Sequence, residues 1–325
     1  MLYPLKCKPY LRTMVWGGDK ISGFKGIETD QKNIGESWEL SAYPDMESTV
    51  GNGPLAGRSI SSLVKEFKDE LVGKHVYQES GNNFPLLFKF IDAKADLSIQ
   101  VHPNDELAEK VHGKGSLGKT EMWYVIDAAP GAKLYSGLSK SVTPEEYARK
   151  VADDSITDVL ASHPVHPGDV FFLPAGRIHA ICSGCFVAEI QQSSDLTYRI
   201  YDYGRLGLDG KPRQLHTELA KDAIDYKVYD NYRTPYEPQE NEEVELVSCK
   251  YFTTSLYELT LPYAKDLSEI DSFVAVMCLE GCGTLEVDGH EIEIGQGETV
   301  LIPATADDLC MVPDGGMKVL TTYIR

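Results

Sequence analysis

The chain has 325 residues, 42% hydrophobic and 25% charged, and its 31 basic and 50 acidic side chains leave a formal net charge of −19. That length predicts two domains of roughly 150 residues each, and the charge argues against nucleic acid or an anionic membrane as partner. It leaves room for a small anionic substrate with its own local basic groups, because exposed charges are screened beyond about 8 Å.

No apolar run approaches the roughly 20 residues that span a bilayer. The opening MLYPLKCKPY lacks the apolar core of a signal peptide, so a cytoplasmic protein is expected, with no obligatory protein partner evident. Residues 1–58 are rich in Gly and aromatics and read as strands and turns. Within 35–44, Glu36, Trp38 and Leu40 alternate with Ser37, Glu39 and Ser41, the period of a strand with Trp38 in the core. Residues 59–77 read as one helix, with Leu63, Val64, Phe67, Leu71 and Val72 on one face. The apolar run 84–91 carries one lysine, Lys89, which either meets an anion or, the commoner outcome, snorkels to water.

In 97–105, LSIQVHPND, strand alternation puts Ser98, Gln100 and His102 on one face. That face is either the solvent side of a half-exposed strand or a set of polar groups holding a metal. Pro103 ends the strand, and Asn104 or Asp105 caps a helix over 106–112. Residues 113–118 form a flexible loop. The strand 119–128 then places Lys119, Glu121 and Trp123 together. A helix over 143–162 opens with Thr143, Pro144 and two glutamates. Residues 166–181 read as strand, turn and strand, 187–199 as a strand entering a polar segment, and 214–226 as a helix. The segment 230–245, with two prolines and five glutamates, is the linker candidate. Short strands with Gly-rich turns fill 246–325, as in a β-sandwich or barrel. The seven cysteines show no disulfide-framework spacing, and all are expected as reduced thiols.

Two segments repeat a pattern. GDVFFLPAGRIH from Gly168 and GETVLIPATADD from Gly297 both run from glycine through an apolar stretch to a proline, Pro174 or Pro303. Only the first ends in a histidine, His179, so two copies of one β unit are expected, one able to hold a metal.

The spacing from Gly168 to His179 resembles the second motif of the cupin superfamily. With LLFKFIDAKADLSIQVHPND, GKTEMWYV, FLPAGRIHA and SSDLTYRIYDYGR, most of residues 1–216 resembles type I phosphomannose isomerase in its short bacterial form, the C-terminal region more loosely. The resemblance implies a mainly β fold of two cupin-like, jelly-roll barrels with helical insertions in the N-terminal part. The expected division is 1–229 for the catalytic domain, 230–245 for the linker and 246–325 for a degenerate cupin-like domain.

The resemblance also implies one zinc ion per chain on Gln100, His102, Glu121 and His179. It implies interconversion of mannose 6-phosphate and fructose 6-phosphate by proton transfer between C2 and C1 through a cis-enediol. Arg199 matches the family's active-site arginine, for the phosphate or the developing enediolate, and Lys89 and Ser98 match positions near the phosphate. Lys119, its ammonium lowered beside a dication, and Asp195 are rival bases, and Glu189 stands close by. Among the other histidines, His166 is singled out at the mouth of the same hairpin. A sugar-binding sensor cupin and an isomerase of another sugar phosphate are the competing readings.

Overall fold

Side chains alternating across strands organise this computed structural model, whose described residues are 2–325; Met1, where the expected first domain begins, lies outside them. Twenty strands form antiparallel sheets of nine, six and five strands, and all seven α-helices precede residue 224. The fold is therefore mainly β with helical insertions in its N-terminal part. Among the described residues, no helix is long and apolar enough to cross a membrane.

The six-stranded sheet is the middle layer. In its strand Leu86–Asp92, Leu86, Phe88 and Phe90 point one way and Lys89 and Ile91 the other. In Glu121–Ala128, Met122 and Tyr124 share the first face while Trp123 and Val125 share the second. The first face packs on Leu63 and Val72 of the helical insertion and on Ala275, Met277 and Leu301 of the nine-stranded sheet. The second packs on Leu134 and Ile181 of the five-stranded sheet. That sheet's outer face, with Ile99, Val101 and Ala180, is covered by helices through Tyr147 and Ala220.

Two strands from the start of the chain complete the C-terminal sheet. Leu5–Lys8 pairs with Thr299–Ile302, Leu5 opposite Leu301, and with Thr49–Val50 on its other side. The segment 230–245 is divided: the Thr234 amide donates to Val170 O (2.8 Å) and the Tyr232 hydroxyl to Leu138 O (2.7 Å) in the N-terminal half, whereas Val244 and Glu245 already pair with Leu256 and Ser255 in the C-terminal sheet.

Several elements differ from expectation. The helix expected over 59–77 is three: Ile60–Phe67, Asp69–Val72 and Lys74–Ser80. The breaks fall where Lys68 (φ 51°) and Gly73 (φ 97°) take left-handed backbone. The helix expected over 143–162 stops at Ala152, and Leu160–Pro164 joins the five-stranded sheet after a left-handed Asp154. Lys20–Lys25 is an unanticipated short helix. Asn104 is the cap of Asp105–His112, its side chain accepting from Leu107 N.

The segment 166–181 also differs, since its two strands are not partners. Val170–Leu173 pairs with Glu121–Ala128 in the six-stranded sheet, while His179–Ile181 pairs in the five-stranded one. The turn from Pro174, with Gly176 at φ 90°, therefore crosses between sheets and brings His179 to Glu121, on the strand that Val170–Leu173 pairs with.

Gly73 joins the helical insertion to the C-terminal half. A Cβ there meets the Asp271 carbonyl oxygen, and φ is 97°. Gly73→Ala is expected to cost about 2 kcal/mol or more, read as a lower urea midpoint with unchanged slope. An unchanged midpoint shows that the backbone yields there freely.

Candidate metal centre and cavity

The facing sheets bring three ligand-type side chains together. His102 follows the strand Ile99–Val101, His179 opens His179–Ile181 opposite Gln100, and Glu121 opens Glu121–Ala128 across the gap. His179 Nε2 lies 3.2 Å from Glu121 Oε1 and His102 Nε2 3.6 Å from Oε2. All three residues are buried.

The imidazoles are oriented from behind. Each Nδ1 sits 2.8 Å from a backbone carbonyl, Leu196 O for His102 and Arg177 O for His179. Donation there leaves Nε2 with its lone pair facing the centre. Burial, reinforced by the Lys119 charge, pushes both rings below their ordinary range, His179 to about 3, so both are neutral as ligands must be. Burial also pushes the Glu121 carboxyl up, against the pull of Lys119. Glu121 Oε1 and His179 Nε2 are buried without a hydrogen-bond partner. Two such acceptors face to face are costly unless a cation lies between them. Two imidazoles and a carboxylate suit a divalent transition ion, so the cluster fits a metal cofactor.

Lys119 Nζ touches the other side of the cluster, 2.6 Å from Glu121 Oε2 and 3.2 Å from His102 Nε2. Burial alone lowers an ammonium, but Glu121 and Glu189 outweigh it and hold Lys119 above its ordinary value. With these side chains alone it stays charged; the lowering expected from sequence is the effect of a dication beside it. Lys89 does not snorkel either: it is buried, and its Nζ donates to Glu189 Oε1 at 3.0 Å. Glu189 Oε2 accepts from Trp123 Nε1 at 2.7 Å.

A cavity of about 280 Å³ opens beside the cluster, lined by Lys89, Ser98, Gln100, Lys119, Asp195 and Arg199, all anticipated from sequence. Arg199 Nη1 donates to Gln214 O at 3.0 Å, and its Nε has no partner. Asp195 stands 3.8 Å from Arg12 Nη1. Arg12, Glu36, Arg213 and His216 also line the cavity and were not picked out. Arg12 had a signal, since Arg12, Met14 and Trp16 alternate along Tyr10–Gly18 and all three reach the cavity. The histidine choice is corrected: His166 is exposed, near Asp169, whereas His216 lines the cavity and its Nδ1 accepts from Arg199 N.

Residues 2–119 match the family model described as phosphomannose isomerase type I, catalytic domain, and residues 242–322 match the mannose-6-phosphate isomerase cupin domain. Among curated relatives, the probable mannose-6-phosphate isomerase GmuF of Bacillus subtilis (strain 168) is 36% identical over 306 residues, 94% of each chain. The crystal structure of mannose 6-phosphate isomerase from Bacillus subtilis superposes with a TM-score of 0.89 at 31% identity, covering 99% of this chain and 100% of that one. A mannose 6-phosphate isomerase structure described as holo and zinc bound shares the fold at 17% identity and a TM-score of 0.81, over 100% of both chains. The chain belongs to the type I phosphomannose isomerase family.

Proposed function

We propose that this chain is a metal-dependent aldose–ketose isomerase that interconverts mannose 6-phosphate and fructose 6-phosphate, moving a proton between C2 and C1 through a cis-enediol. The observation that carries the reading is a buried His102–Glu121–His179 cluster opening beside a cation-lined cavity, in a chain of this family. The cofactor is one zinc ion per chain, held by these three side chains with Gln100, which lies opposite His179 in the ladder. Bound zinc supplies a Lewis acid and a template for substrate oxygens.

The chain's own groups do the rest. Charge develops on two enediol oxygens, and cations aimed at them stabilise it. Lys119, whose Nζ lies 2.6 Å from Glu121 Oε2 at the cavity wall, is one such cation. Asp195, a carboxylate at the cavity wall 34% exposed in its side chain, is the group left to accept the proton. Arg199, whose guanidinium pairs with no carboxylate among the described residues, is free for an anion. It binds the phosphate with Ser98 and Lys89, although Glu189 already offsets the Lys89 charge.

Residues 1–229 form the catalytic part in this reading, since no cavity-lining residue lies beyond His216. Residues 230–245 connect it to 246–325, a structural cupin-like unit. The substrate is dianionic and does not cross a bilayer unaided, which supports a cytoplasmic enzyme in this reading.

A coupled assay of mannose 6-phosphate turnover, before and after chelation, tests reaction and cofactor together. Activity is expected to vanish with chelator and return with zinc. No turnover by zinc-loaded protein points instead to a sugar-binding cupin or to another sugar phosphate. His179→Ala is expected to lose metal and activity while its circular dichroism stays native; full zinc content in that variant removes His179 from the ligand set. For Arg199→Ala, kcat/KM is expected to fall by about 10²-fold or more, and wild-type kinetics takes Arg199 out of the site.

A further inference from the structure

One wall of the cavity holds more guanidinium charge than the residues around it neutralise. Asp202, 5% exposed, accepts from Arg213 through Nε at 2.7 Å and Nη2 at 2.5 Å, and from Arg205 through Nε at 2.9 Å. Burial lowers the affinity of the Arg199 guanidinium for a proton, and the nearby Arg213 charge lowers it further, against the weaker pull of Asp202 and Asp195. One carboxylate thus serves two guanidiniums, with a third beside them that has none. Elsewhere in the cavity each cation has a carboxylate: Lys89 has Glu189, Lys119 has Glu121 and Arg12 has Glu36. Surplus positive charge is therefore concentrated where Arg199 and Arg213 meet the cavity.

The geometry at Arg213 suits an incoming anion. Asp202 takes the Nε–Nη2 edge of the fork, which leaves Nη1 to donate elsewhere. Arg205 is held by the same carboxylate but does not line the cavity, whereas Arg213 does. Register sets the level along the wall. Tyr201 pairs with Ile99, so Asp202, the next residue, comes level with Ser98. Arg213 itself comes from an irregular hairpin in which Gly207 N donates to Lys211 O at 2.7 Å and Leu206 bridges Pro212. A long side chain on such a hairpin needs a fixed partner to hold one pose, and buried Asp202 is that partner.

We infer that Arg213 is a second phosphate-binding arginine of the substrate site, beside Arg199, and that Asp202 is the positioning residue that aims it. The inference rests on the sugar-phosphate reading for its substrate, but phosphate binding can be measured without turnover. Two guanidiniums then share the dianion, each donating to phosphate oxygens, the bidentate chemistry to which Arg is suited.

The test compares inorganic phosphate binding by calorimetry with isomerase kinetics for zinc-loaded wild type, Arg213→Gln, Arg213→Lys and Asp202→Asn. Arg213→Gln is expected to weaken phosphate binding by about tenfold and to raise KM for mannose 6-phosphate more than it lowers kcat. Arg213→Lys keeps the charge but loses the fork, so it falls between the two. Asp202→Asn shifts KM in the same direction, and Asp202→Glu recovers part of the loss, which a merely structural carboxylate does not require. Phosphate affinity and KM at wild-type values in folded Arg213→Gln overturn the inference, as does a wild-type protein that turns over substrate without binding phosphate. Phosphate binding that depends on Arg213 in a protein with no isomerase activity supports this site and defeats only the assigned reaction.

Discussion

The site depends on a run of alternating charges buried between two sheets: Lys89, Glu189, Lys119 and Glu121. None is more than 6% exposed in its side chain, and neighbours lie 3.0, 4.0 and 2.6 Å apart. Desolvating even one such charge costs several kcal/mol, and only opposite charges and hydrogen bonds nearby offset that cost. Trp123 Nε1 on Glu189 supplies one of those bonds, and His102 on Lys119 supplies another. Removing any one member strands its neighbour, so the four act as a unit. Their cohesion holds Glu121 where the two histidines converge.

A run of this kind is tolerable because the rest of the sandwich is apolar. On the same strands, Phe88, Phe90, Met122 and Ile190 face the opposite way into the largest core cluster. Leucine, tryptophan and phenylalanine close the site side beyond the charges: Leu134, Trp123 and Phe171. Each strand therefore carries chemistry on one face and stability on the other. The backbone carbonyls that fix the imidazoles come from irregular segments, Leu196 just before a strand and Arg177 in the turn that crosses between sheets. Loops on rigid sheets thus set the ligand geometry.

Charge is distributed unevenly on two scales. The chain as a whole is strongly acidic, which at long range does nothing to attract a phosphate dianion. Beyond about 8 Å that field is screened, and inside the cavity the balance differs. Lys89, Lys119 and Arg12 each have a carboxylate, while Arg199 has none and Arg213 shares Asp202 with Arg205. A matched cation shapes the wall and an unmatched one draws an anion, so the unmatched end is where a phosphate gains most. The metal cluster, with its neutral imidazoles, lies beside the matched part. One cavity can in this way hold the two ends of a sugar phosphate apart.

Local sequence determined which faces carry the chemistry. Strand alternation put Ser98, Gln100 and His102 on one side and Lys119, Glu121 and Trp123 on another, and a glycine-to-histidine spacing marked His179. Side-chain period in an extended chain is a local property, so it survives into the fold. The same locality made Thr143 readable as a helix cap and narrowed another to Asn104 or Asp105, of which Asn104 is the cap. What depended on distant partners was not legible. Lys89 met Glu189, a hundred residues away, and so stayed buried instead of reaching water. The long apolar helix pattern of 59–77 broke at Lys68 and Gly73 because the chain turns there to pack on the C-terminal half. Leu5 found its partner in Leu301, and Arg213 entered the cavity from a hairpin with no periodic signal. His216 rather than His166 reached the site for the same reason. The sequence by itself determined the ligand types and the strand faces that bear them; only the tertiary structure decided which charges are paired, because pairing across sheets follows from packing between segments far apart in the chain.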